Sequence, residues 1–100
     1  DRPFLYYSKS MDYITVYDGR NPKAPIRQRY EWPAAGIIEG CNEAAKNVEQ
    51  IRTLLAQRPS KSENIDAEID QALGVLTAAR ILYEERGKYF TLAVPENPYL

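Results

Sequence analysis

One hundred residues, 44% of them hydrophobic and 27% charged, with a net charge of −1, amount to one domain with an ordinary globular balance. That balance excludes wholesale disorder, and a charge this close to neutral carries no footprint of a polyanion binder. Histidine is absent, which removes the commonest general base near neutral pH and the commonest metal ligand.

The charge is uneven along the chain. Residues 1–32 carry six cationic against four anionic side chains, residues 33–63 four of each, and residues 64–100 three against six. Cys41 is the single cysteine, so no internal disulfide can form, and a reducing compartment is expected. No apolar run approaches the ~20 residues that span a bilayer, and no signal-peptide pattern is present. A cytoplasmic protein without membrane contact is the expectation.

Residues 1–32 read as strands. Phe4 to Tyr7 suggests a short edge strand. Tyr13-Ile14-Thr15-Val16-Tyr17 is β-branched and aromatic throughout and alternates with period two. The cluster from Asp18 to Pro22 ends it in a turn. Alternation resumes from Ile26 to Trp32, with Ile26, Gln28, Tyr30 and Trp32 on one face and Arg27, Arg29 and Glu31 on the other. Residues 26–33, leading into a helix, resemble the strand-to-helix entry of ribbon-helix-helix repressors. That resemblance implies a dimer paired through this strand, reading the DNA major groove with it. The helix expected next is longer than that family's, and no functional residue is carried over.

Pro33 suits the opening of a helix, where its missing N–H costs nothing. The spacing predicts a helix to about Gln57, stopped ahead of Pro59. A second helix is expected after Ser60, with Ser60 and Glu63 at capping-box spacing and Asn64 as a competing cap. Asp66, Glu68 and Asp70 place negative charge near the positive end of its dipole. Gly87 is a suitable stop. The last strand runs from Lys88 to Val94, ended by Pro95.

Ile37, Cys41, Ala44, Val48, Ile51 and Leu55 step by four and three residues, and so do Ile65, Ile69, Ala72, Leu76, Ala79 and Tyr83. That is the spacing of a coiled-coil seam. The two stripes predict a long antiparallel helix hairpin, Leu55 beside Ile65 and Ile37 beside Tyr83. The expected fold is therefore α+β and a single domain over 1–100. Strands occupy 1–32, the helix hairpin 33–87 and a C-terminal strand 88–95. The open end of the hairpin packs on a small antiparallel sheet of three or four strands, and the other end projects as an arm.

Chemistry is sparse. Cys41 falls on the seam, as a buried small hydrophobe would. Asp66 with Asp70 and Glu39 with Glu43 are carboxylate pairs at helical spacing, read as solvated faces. Gly36 and Gly40 form a G-x-x-x-G that suits close approach of a neighbouring element. No cofactor or metal is implied, and no enzymatic activity. The expected function is a small protein-binding regulator, inhibitor or adaptor that acts by occupying a partner's surface, and a homodimer is expected. Eight tyrosines, five of them before Trp32, supply candidate contacts. The protein-binding candidates are Tyr13, Tyr17 and Tyr89 on outward strand faces, with Val75, Leu82 and Ile38 beside the helical seam. The alternative is a DNA- or RNA-binding regulator that uses Arg27 and Arg29, stacking bases on the tyrosines.

Overall fold

The computed structural model describes residues 4–57 and 64–96. The first three strands are β1 (Leu5–Lys9), β2 (Tyr13–Asp18) and β3 (Ile26–Glu31), followed by helices α1 (Ala34–Glu43), α2 (Val48–Ala56) and α3 (Ile65–Ala78). Strands β4 (Leu82–Glu85), β5 (Lys88–Thr91) and β6 (Val94–Pro95) close the chain. Two sheets result. One has the order β3-β2-β1-β6, antiparallel except where β6 runs parallel to β1, and the other is the β4-β5 hairpin.

The α+β class stands, but the long helix hairpin and its coiled-coil seam do not. Three short helices take its place, and the projecting arm goes with the hairpin. The expected first helix breaks after Glu43, where Ala44 is fully extended (φ −165°, ψ 150°). A new helix starts behind Asn47, which forms a capping box with Gln50: each side chain accepts from the other's backbone N–H at 2.8 Å. The Lys46 ammonium donates to the Gly40 carbonyl at 2.9 Å, adding to the long bond (3.4 Å) that this carbonyl accepts from the Ala44 N–H at the end of α1.

The expected second helix ends nine residues early, at Ala78 rather than Gly87. Its terminus is a Schellman motif: Ile81 N–H donates to the Leu76 carbonyl at 2.9 Å, and Arg80 N–H to the Thr77 carbonyl at 3.0 Å. Arg80 holds the left-handed conformation (φ 58°) that glycine usually fills. Gly87 serves a different turn. With Arg86 (φ 55°) and Gly87 (φ 80°) both left-handed, the β4-β5 connection has the two-residue geometry that matches strand twist.

The seam residues are mostly core residues all the same. Ile37, Cys41, Ile51, Leu55, Ile69, Ala72 and Leu76 are buried, and Val48 and Ile65 pack against them. Ala44, Ala79 and Tyr83 are exposed, and these three lie at or beyond the true helix ends. The expected last strand, Lys88 to Val94, divides in two: β5 pairs with β4, and β6 joins the larger sheet beside β1. Tyr89, expected on an outward face, packs toward the core from β5. β1, expected at an edge, is flanked by β2 and β6.

Helix α1 lies at the centre, packed against β3, β5, α2 and α3. The inner face of the large sheet supplies Leu5, Tyr7, Ile14 and Val16 to the same core. The G-x-x-x-G of α1 works as a packing notch. A side chain at Gly36 would strike Trp32 and Leu55, and one at Gly40 would strike Leu54.

One polar tie joins the β2-β3 loop to the end of α3. Arg20 makes a bidentate pair with Asp18 (2.9 and 2.7 Å) and donates to the carbonyls of Arg80 (2.7 Å) and Ala79 (3.0 Å). The guanidinium thereby satisfies carbonyls at the negative end of the helix dipole and braces the left-handed Arg80. Hydrogen bonding from Arg20 holds the Asp18 carboxyl below its usual range. A depressed carboxylate stabilises the fold above its unfolded pKa, and that contribution is lost as pH falls through the folded value. Asp18→Asn should therefore lose about 1–2 kcal/mol at neutral pH. Denaturant titrations should show that loss shrinking as the pH drops below about 4, where wild type also loses the ionised pair. A difference that stays constant down to pH 2 would remove the ion pair from the account.

Candidate basic and aromatic sheet face

Period-two alternation sorts the large sheet cleanly. Ile14 and Val16 of β2 and Leu5 and Tyr7 of β1 point into the core, so Tyr6, Ser8, Tyr13, Thr15 and Tyr17 stand on the opposite face. The register aligns them in rows. Tyr6, Tyr17 and Arg27 are cross-strand partners, with Val94 beyond Tyr6; Ser8, Thr15 and Arg29 form the next row; Tyr13 pairs with Glu31.

These side chains engage one another. The rings of Tyr6 and Tyr17 stack with centroids 4.8 Å apart at an interplanar angle of 15°. The Arg27 guanidinium lies 5.5 Å from the Tyr17 ring centre, and that of Arg29 lies 3.8 Å from the Tyr13 ring centre. Arg29 also pairs with Glu31 at 3.2 Å, with both side chains more than half exposed. Because Tyr6 and Tyr17 are neighbours across strands, stacking turns their ring normals along the sheet. The rings stand on edge, and solvent meets edges and hydroxyls. The result is a strip of hydrogen-bond donors beside two guanidinium groups.

The other expected contact residues fall elsewhere. Val75 is half exposed on α3. Ile38 (0% exposed) and Leu82 (2%) are core side chains with no surface to offer. Tyr89 is half-buried on β5, and its backbone exchanges hydrogen bonds with Lys46 at 2.7 and 2.9 Å. Tyr6 joins the outer face without having been singled out. Its place was readable from the alternation Leu5-Tyr6-Tyr7-Ser8, once that segment is taken as an interior strand.

Two side chains outside this face are held in their neutral forms. Burial pushes the Cys41 thiol up to about 11, so it stays protonated near neutral pH. Burial, aided by Glu39 and Glu43, raises the Tyr7 phenol and holds it neutral. A cleft of about 260 Å³ opens between the β1-β2 turn and α1, crossed by the exposed Lys9–Glu39 ion pair at 3.0 Å. Among the described residues, no cluster of three or more His, Cys, Asp or Glu side chains can hold a metal ion, and no helix is long and apolar enough to cross a membrane. No known protein family, curated protein or solved structure matches this chain.

The outer face contributes little to the core, so it can be altered at small cost. The double variant Tyr13→Ala, Tyr17→Ala should fold with a stability loss of no more than about 2 kcal/mol, from the ring stack and the two cation–π contacts. Circular dichroism melts check this. Failure to fold would make the face structural.

Proposed function

We propose that this chain is a non-enzymatic protein-binding module, a regulator, inhibitor or adaptor that acts by occupying an acidic surface or segment of another protein. The observation that carries the reading is the paired Tyr–Arg strip on the outer sheet face, with Arg29 laid over Tyr13 at 3.8 Å and still open to solvent. Guanidinium groups pre-ordered on rings lose less freedom when a carboxylate arrives, and tyrosine and arginine are the residues that most often carry interface energy. Carboxylates suit this face because each accepts two N–H bonds from one guanidinium.

Nucleic acid fits the same strip less well. A base stacks on a ring face, and here Tyr6 and Tyr17 each give a face to the other while Arg27 and Arg29 lie over Tyr17 and Tyr13. A base that used those faces would first have to displace these contacts.

Calorimetry with an acidic peptide and with a single-stranded oligonucleotide of mixed sequence tests the reading. The peptide should bind, more weakly as salt rises, and the double variant Arg27→Glu, Arg29→Glu should lose at least about tenfold in affinity. Oligonucleotide binding tighter than peptide binding would overturn it.

A further inference from the structure

We propose that β3 is the docking edge: an extended segment of another protein adds beside it as a further strand, placing carboxylates on the Arg27–Arg29 side and apolar side chains on the Ile26–Tyr30 side. This rests on the protein-binding reading of the sheet face and names how the partner sits.

The sheet order leaves β3 with β2 on one side only, and among the described residues no strand pairs with its other edge. An open edge six residues long is a row of backbone donors and acceptors ready for a neighbouring chain. The opposite edge, β6, is two residues long and ends in a proline. β3 is exposed along nearly its whole length, Tyr30 alone being half-buried. Gln28 bends its side-chain amide back to the strand's own Arg29 carbonyl at 3.1 Å.

The two faces of β3 then state what the partner must carry. Arg27 and Arg29 lie on the outer face, two residues apart, at the ~7 Å spacing of alternate side chains. A facing strand meets them with carboxylates at alternate positions, while Glu31, the third outward side chain, is held by Arg29. On the inner face Ile26 is 57% exposed, beyond the cover of the helices, and Tyr30 leads on into the core. A facing strand places its remaining, apolar side chains there. The recognised segment is therefore extended, with acidic and apolar residues alternating.

A second copy of this chain does not meet that requirement. Two-fold antiparallel pairing of β3 centred on Gln28 sets each Arg27 opposite an Arg29. Centred on Arg29, it sets the two Arg29 side chains together, with each Arg27 opposite a Glu31. Like charges directly opposite destabilise a sheet. Pairing centred on Tyr30 runs into Pro33, which has no N–H to give. The first two registers each contain an Arg–Arg contact, whereas carboxylates opposite Arg27 and Arg29 bring none, which favours an acidic strand over a second copy.

The test uses an alternating Glu/Val peptide of about ten residues, long enough to span the strand, titrated by calorimetry against the whole chain. Two further versions carry N-methyl groups, one on every Glu amide and one on every Val amide. In a strand, alternate residues direct their backbone groups to opposite edges. One methylated set should therefore lose at least about tenfold in affinity and the other should bind like the parent. Equal binding by all three peptides would overturn strand addition while leaving the acidic-surface reading in place. No binding by the parent peptide, where other acidic peptides bind, would overturn the alternating pattern; no binding by any acidic peptide would overturn both. A mass doubling in light scattering that the peptide reverses would assign the edge to a second copy instead.

Discussion

Burial of α1 on more than one side is the constraint on which the rest of the molecule depends. Ile37 and Ile38 are neighbours in sequence, so they point about 100° apart around the helix, yet both are 0% exposed. No single partner layer covers both directions. The large sheet closes one side, and α2, α3 and the β4-β5 hairpin close the others. A helix this short is marginal alone, so it exists because these layers enclose it. The dependence is mutual: the sheet has one apolar face, and that face is covered only while α1 is in place. Gly36 and Gly40 let the second layer come close, because Trp32, Leu54 and Leu55 occupy the space that larger residues would fill.

The same arrangement separates stability from recognition. Apolar alternation on β1 and β2 commits one sheet face to the core, and this leaves the other to tyrosine, threonine and serine. Tyr6, Tyr17 and Arg27 cross three strands in one row and stack on one another, so the outer face is ordered without being buried. β3 belongs only partly to the core, since the helices reach Tyr30 but leave Ile26 uncovered. The strand most available to a partner is thus the one that the fold covers least.

The faces of β2 and β3 were legible from period two alone, and so were most buried helical residues from steps of three and four; the place of β1 inside the sheet was not. Helix lengths were not. A step of three or four residues marks a buried stripe, and it continues through a break when the chain happens to resume in phase, as it does from Cys41 through Ala44 to Val48. The break at Ala44 did leave a mark, the Asn47-x-x-Gln50 cap, which is a weak signal inside a longer periodic run. The end of α3 left almost none. Its left-handed position is filled by Arg80, and what makes that tolerable is Arg20, sixty residues away, donating to the Arg80 carbonyl. A contact of that range cannot be read from local spacing. On the candidate face, Tyr13, Tyr17, Arg27 and Arg29 were each visible, but their stacking follows from strand register, which the sequence leaves open.

Native-state hydrogen exchange tests the central claim most directly. If α1 is the shared core of both layers, the amides of Ile38, Cys41, Val16 and Leu76 should exchange with one common free energy, equal to that of global unfolding measured in denaturant. Separate, lower values for Leu76 and the other α3 amides, with α1 and the sheet still protected, would show that the second layer opens alone, and would contradict the account.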